Sequence, residues 1–437
     1  MALLPKLNEK RKALSGEEGA FIQETSVAES PERHEMKNSD DANTMSVTVG
    51  GFEVTPRATD YVNQALASNR LSYGPFSRKF ETHFAALHNA QFAILCNSGT
   101  SALHMALACL KELGGWQDDD EVIVPAVTFV ATSNMVLLNN LTPVFVDVDA
   151  KTYNIDPQKI EEKITPKTRA IMPVHLFGQP CEMDPIMKIA RHHNLKVIED
   201  SAETVLARYK GKPVGSWGDI SAFSTYVAHL VVTGAGGLAV TNNPDYAVVL
   251  KSLLNHGRDS IYLNIDDRGT TSVEFLEIVE ARFRFVRFGH SFRATELEAA
   301  LGLAQLEEID GLMGRRKANA AFLLQGLKQF SPFLQLPSWP EYSEHAFMMF
   351  PLVIRDRAVA KKELIGFLEE KGIETRDMLP LLNQPIYKQR FGDIEQYYPV
   401  AQWINANGFY IGCHPYLHPE QLDYVIAQFE QFFQRAA

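Results

Sequence analysis

Between Ser46 and Leu312 the chain repeats one pattern, an apolar run of strand length followed by a segment with helical spacing. FAILCN (92–97) precedes SGTSALHMALACLKELGG, a capped start and a helix-period apolar stripe ending in glycine. EVIVPAVTF (121–129) leads into ATSNMVLLNN, and PVFVDVD (143–149) follows; RAIMPVHLF (169–177) precedes DPIMKIARHHN, with LKVIEDS (195–201) after it. Unbroken β-rich runs separated by helices predict a mostly parallel sheet covered on both faces. Ligands of such sheets bind beyond the carboxyl ends of the strands, so the residues that end each run are the ones to inspect.

After Leu312 the texture changes to a long helical pattern (RRKANAAFLLQGLKQF), a strand run (HAFMMFPLVI), a helix (VAKKELIGFLEEKG), a short strand (IETRD) and a last helix (PEQLDYVIAQFEQFF). Three regions are therefore expected: a polar tail at 1–45 without chemistry of its own, a large α/β domain at 46–311 and a smaller α+β domain at 312–437. With 46% hydrophobic residues the chain can offset its ordering entropy, and its net charge of −11 argues against a nucleic-acid or anionic-membrane binder. No run approaches the roughly 20 apolar residues that span a bilayer, and the first residues lack a signal-peptide core. Cys96, Cys109, Cys181 and Cys413 stand far apart, the usage of a reducing cytoplasm.

Three strand-end features carry candidate chemistry. Asn97-Ser98-Gly99-Thr100-Ser101 joins a strand to a helix, where backbone N–H groups and small hydroxyls suit a phosphate ester or act simply as a cap. Asp200 ends LKVIEDS, placed either to hold a protonated ring nitrogen or to form a structural ion pair. In the run 219–237, Ser224 is followed five residues later by His229 and then by the turn Thr233-Gly-Ala-Gly-Gly237. The glycines permit close backbone approach, but they lack the spacing of a dinucleotide fingerprint.

With these segments in order, the sequence resembles the DegT/StrS-type nucleotide-sugar aminotransferases, vitamin-B6 enzymes of the aspartate-aminotransferase fold. The resemblance runs from about Thr48 to the C-terminus, through LSYGPFSRKFETHFA (71–85), NSGTSALHMAL (97–107), VIEDSAE (197–203), GKPVGSWGDISAFS (211–224), NHG (255–257) and FRATELEAALGLAQLEEID (292–310). It implies fold type I, a large domain with a mostly parallel seven-stranded sheet and a small C-terminal α+β domain. It implies pyridoxal or pyridoxamine 5'-phosphate as cofactor, with Gly99, Thr100 and Ser224 at the phosphate, Phe129 stacked on the ring and Asp200 at the ring nitrogen. Glu203 stands where many members carry a glutamine near the ring hydroxyl. Asn255 would reach the cofactor phosphate of a neighbouring subunit, which requires a homodimer.

One departure matters. The family lysine that holds the cofactor as a Schiff base aligns with His229, and the glutamate common between the glycines is Ala235. An imidazole cannot form that bond, yet it shuttles protons near neutral pH. Lys210 and Lys212 fall in what resembles an ordinary surface loop of the family. The same replacement marks the nucleotide-sugar 3-dehydratases, which the chain resembles at this position. There the aminated cofactor condenses with a 4-keto sugar, the histidine takes a proton and the C3 hydroxyl leaves. Three accounts follow: a 3-dehydratase using His229 as base, an aminotransferase with an unusual or substituted residue, or a non-catalytic regulator that binds cofactor or sugar nucleotide. The four cysteines are too scattered for a clustered iron–sulfur site, so glutamate is the expected amino donor.

Other clusters are assigned less. His175, in PVHLFGQ, and Arg293 are candidate substrate-binding residues, and Arg282, Arg284 and Arg287 are candidates for the diphosphate of a sugar nucleotide. His192-His193 reads as a surface pair, and Cys413-His414 with His418 as a loop and not a metal site.

Overall fold

The computed structural model describes residues 45–259, 276 and 279–436; the tail read at 1–45 lies outside them except for its last residue. Nine strands come first: β1 Phe92–Cys96, β2 Glu121–Pro125, β3 Thr142–Val146, β4 Thr168–Ile171, β5 Lys196–Asp200, β6 Arg208–Tyr209, β7 Lys212–Pro213, β8 Ile220–Ser224 and β9 Gly237–Thr241. Apart from the β6–β7 ribbon they form one sheet in the order β1-β9-β8-β5-β4-β2-β3. Only β9 runs against its neighbours, β1 and β8, so the carboxyl ends of β1, β2, β5 and β8 reach the same edge. Strands β8 and β9 are buried at all five positions, as a sheet covered on both faces requires.

The helix Gly99–Gly114 lies on this sheet through Leu103, Ala106, Leu107 and Leu110. Ser98 caps its start, accepting from the Ser101 N–H at 3.0 Å, and Gly115 ends it with φ +62°. Helix Glu296–Glu307 starts with a buried carboxylate. Glu296 accepts from the N–H groups of Gly74, Phe76 and Ser77 at 2.7–2.9 Å, pinning the first turn of helix Pro75–Leu87.

A second, antiparallel sheet is built from β10 Leu334–Gln335, β11 Phe350–Ile354, β12 Thr375–Asp377 and β13 Gly408–Ile411 in the order β10-β11-β13-β12. Phe350, Leu352, Ile354, Phe409 and Ile411 form its core with Leu323, Leu327 and Phe429 from the covering helices. Val47 adds to this layer, donating its N–H to the Gly372 carbonyl at 2.9 Å. Two expectations change here. The run 345–354 is a strand only from Phe350, because Phe347 turns the chain at φ +50°, and β13 was not anticipated at all. No helix among the described residues is long and apolar enough to cross a membrane.

Candidate active site

Four strand ends converge on one cavity of about 400 Å³, within the size range of small-molecule sites. Ser98, Gly99 and Thr100 come from the turn after β1, Phe129 from the loop after β2, Asp200 and Glu203 from the end of β5, and Ser224 and His229 from the end of β8. Met348, Met349, Leu379 and Tyr410 close it from the side of the second sheet.

The turn after β1 and the end of β8 are in close approach. A Cβ on Gly99 would stand 2.7 Å from the Ser224 Cβ, and one on Gly237 would stand 2.4 Å from the Gly99 nitrogen. Glycine at both places sets the Ser224 hydroxyl beside the first N–H groups of a helix, which is an anion cradle.

Asp200 is buried and holds two hydrogen bonds. The Thr132 hydroxyl donates to Oδ2 at 2.8 Å and the Ala202 N–H to Oδ1 at 3.2 Å. Burial lifts its carboxyl above the usual range, against those bonds, so the site rewards a partner that brings a positive charge. Thr132 in turn meets the Thr128 hydroxyl at 2.7 Å. Glu203 accepts from the Phe177 N–H at 2.8 Å, and burial pushes its carboxyl up to about 7. The Phe129 ring is 56% exposed, its face open at the cavity wall.

His229 sits in the loop that leaves β8 and returns to β9. That loop is tied at its base, where the Thr225 and Thr233 hydroxyls meet at 2.6 Å and Thr225 donates its N–H to Gly236 at 2.9 Å. The His229 Nδ1 is buried with no hydrogen-bond partner in the described structure. Burial pulls the ring down to about 4, its contact with the Ser224 backbone opposing and the Arg316 charge assisting. The imidazole is therefore neutral at neutral pH and free to take a proton. No lysine or arginine lines this cavity among the described residues.

The donor set fits a flat heteroaromatic ring that bears a phosphate: a helix start and hydroxyl for the ester, a carboxyl for a basic ring nitrogen, and an aromatic side chain and a neutral imidazole on the same cavity wall.

Three of the sequence candidates stand elsewhere. His175, taken as a substrate contact, is fully buried beneath the sheet edge. Its Nδ1 accepts from the Cys181 N–H at 3.0 Å, so Nε2 donates to Glu199 at 3.0 Å, and it has no surface left for a substrate. Asn255 and Arg293 line a separate concavity of about 230 Å³. In the arginine-rich run, Arg284 pairs with Asp259 at 3.3 Å and Arg287 meets Glu112 at 3.0 Å through both Nε and Nη2, so these two cations are already committed. His192 and His193 are a surface pair beside Glu161, and Cys413 and His414 are buried. Thr128, Thr132, Met348, Met349 and Tyr410 were missed; only the i, i+4 pair of threonines at a helix start gave a signal in the sequence.

Comparison with known proteins agrees with this geometry. The model of the DegT/DnrJ/EryC1/StrS aminotransferase family matches residues 53–430. A GDP-perosamine synthase of Caulobacter vibrioides is 36% identical over 88% of this chain and 98% of its own. A dTDP-4-dehydro-2,6-dideoxy-D-glucose 3-dehydratase of Saccharopolyspora spinosa is 32% identical over 86% and 84% respectively. Among solved structures, a GDP-4-keto-6-deoxy-D-mannose-3-dehydratase of E. coli with bound hydrated PLP superposes with a TM-score of 0.77 at 25% identity, over 88% of this chain and all of that one. A two-sheet architecture with its strand ends gathered on one cavity, and a family match across most of its length, make the chain a member of the DegT/DnrJ/EryC1/StrS aminotransferase family with the pyridoxal-phosphate-dependent fold type I.

Proposed function

We propose that the protein is a vitamin-B6-dependent enzyme of nucleotide-sugar metabolism and, more narrowly, a 3-dehydratase of a 4-keto nucleotide sugar in which His229 is the base. The observation that carries the narrower reading is a neutral imidazole with an unpartnered ring nitrogen at a cavity that no lysine lines among the described residues. The 3-dehydratases of Saccharopolyspora spinosa and E. coli among the relatives support it. The family description supports the alternative, amino transfer, for which glutamate would be the donor.

Pyridoxal or pyridoxamine phosphate, when bound, supplies an electron sink conjugated to the reacting carbon. Gly99, Thr100 and Ser224 hold its phosphate, and Phe129 covers one face of its ring. Asp200, oriented by Thr132, keeps a proton on the ring nitrogen. His229 takes the proton released at the reacting carbon, being neutral at neutral pH and having its Nδ1 without a hydrogen-bond partner in the described structure. Met348, Met349 and Leu379 exclude water from the same wall. The chain works as a homodimer in the cytoplasm, with Asn255 turned toward the partner's cofactor. In support, Phe283 and Phe288 are 81% and 102% exposed on the single chain, an apolar surface that a second copy would cover.

The test is the product. Protein reconstituted with the cofactor and given glutamate and 4-keto nucleotide sugars should release a 3-deoxy sugar nucleotide, read by mass spectrometry. An amino sugar would establish the transaminase instead, and cofactor binding without either product would establish a regulator.

A further inference from the structure

Glu161, His192 and His193 bring three metal-ligating atoms together, and none of the three residues lines the reaction cavity. Glu161 opens the 3-10 turn Glu161–Lys163, His192 ends the helix Met183–His192 and His193 caps it. The core sets turn and helix side by side, because Ile160, Ile186 and Ala190 pack in one buried cluster. Consecutive residues inside a helix do not face each other. His193 has left the helix, at φ −100° and ψ 8°, and its ring centroid stands 4.6 Å from that of His192.

The separations are those of a coordination shell. His193 Nε2 lies 3.0 Å from Glu161 Oε1, His192 Nδ1 lies 3.6 Å from the same oxygen, and the two nitrogens are 3.2 Å apart. Hydrogen bonds satisfy this group only in part. Each ring nitrogen carries one hydrogen at most, and the longest separation exceeds hydrogen-bond reach. A tetrahedral dication with bonds of about 2.0–2.1 Å spaces its ligands roughly 3.3 Å apart, and the three distances straddle that value.

The surroundings favour positive charge. The helix turns its carbonyl end toward the histidines, the end that stabilises a cation. Glu161 and His192 also border a hollow of about 760 Å³, lined by Asp149, Asp156 and Glu182 as further carboxylates and by Lys188 as its one lysine among the described residues. Lys159 meets Asp156 at 3.5 Å, and the other acids leave the local field negative on a chain already at −11.

We propose that Glu161, His192 and His193 bind one zinc ion, with water in the fourth position. Two imidazoles and a carboxylate suit a borderline dication and disfavour Mg²⁺ and Ca²⁺, which take oxygen ligands. Glu161 and His192 stand 31 positions apart in the chain, so the ion closes a loop between turn and helix and stabilises the folded state by binding it. The open fourth position makes the metal exchangeable with solvent, unlike a closed four-ligand structural zinc.

The experiment uses untagged, cofactor-reconstituted protein stripped with a chelator. Wild type is compared with Glu161→Gln, His192→Ala and His193→Ala, and with His83→Ala, an exposed histidine on helix Pro75–Leu87, as control. Calorimetry with zinc chloride should show one equivalent bound by the wild type and the control. Each of the other three should bind it about tenfold more weakly or worse, at least the loss that follows removal of a partner outside the ligand shell. Cobalt chloride should give the intense visible absorption of a tetrahedral ion in the wild type, lost in the three variants, and magnesium chloride should give no binding that they abolish. Zinc should raise the melting temperature of wild type and control and leave that of the three variants unmoved. A wild type that binds no zinc overturns the proposal. So does zinc binding that the three variants keep, or cobalt uptake with only the weak bands of an octahedral ion.

Discussion

Gly99 and Ser224 approach so closely that no side chain fits between them: a methyl group on Gly99 would meet the serine Cβ at 2.7 Å, its Cα at 3.2 Å and the Phe223 carbonyl at 3.3 Å. Two of these are backbone atoms of a fully buried strand, so the strand cannot retreat cheaply. Gly99→Ala should cost about 1–3 kcal/mol of stability, the usual range for overpacking. It should also separate the Ser224 hydroxyl from the helix start and weaken cofactor retention more than it lowers the melting temperature. Thermal unfolding and cofactor absorbance after dialysis measure the two effects. A variant that melts lower but keeps its cofactor would show that the contact serves the fold alone.

His229 is expected to move protons and not to hold the cofactor. His229→Asn should leave cofactor uptake intact and slow turnover by about 10² to 10⁴, the range for a lost general base. His229→Lys should make the cofactor attachable to the protein by borohydride, which the wild type should resist. Intact-protein mass after reduction decides this, and a wild type that already gains the cofactor mass would refute the assignment.

Thr132 acts through Asp200. Its hydroxyl is the only side-chain donor to that carboxylate among the described residues, and burial already disfavours the charged form. Thr132→Val removes the bond and raises the Asp200 pKa further, so the carboxylate becomes a poorer partner for a protonated ring. Turnover should fall about tenfold, the worth of one hydrogen bond to a charged group. The absorbance of bound cofactor should become more sensitive to pH, and Thr132→Ser should restore both. A purely structural role would lower stability without moving the spectrum.

The parts of the site that the sequence made visible are those fixed by strand ends. Asp200 and Ser224 close apolar runs, and the rule that ligands gather at carboxyl ends places both at one edge. What stayed hidden depends on partners distant in sequence. Glu199 and Asp200 are adjacent, and alternation along the strand sends their side chains to opposite faces. Asp200 reaches the cavity, while Glu199 accepts from His175, Gly215, Trp217, Gly218 and Ser221 below it. Nothing local to PVHLFGQ says that His175 is consumed there. The arginine-rich run misled for the same reason, because Glu112, which holds Arg287, lies 175 residues away. Strand β13 escaped because it opens on a glycine and has only four residues.

Glu203 makes the apo protein sensitive to pH in a predictable direction. Its carboxyl is raised from 4.5 to about 7 by burial, with Asp200 adding to the effect and the Phe177 N–H opposing it. The folded state therefore binds a proton more tightly than the unfolded chain. The stability this confers is complete below about pH 4.5 and is lost as the pH rises through 7, to a total of about 3 kcal/mol. Glu203→Gln keeps an acceptor for Phe177 and removes the titration. Its advantage in melting temperature over the wild type should be small at pH 5 and grow steadily to pH 8. Cofactor affinity should follow the same course, since an ionised Glu203 sets a second negative charge beside Asp200. Melting curves for the two proteins at four pH values suffice as the check, and parallel curves would mean that Glu203 is already ionised, or already shielded, across the whole range.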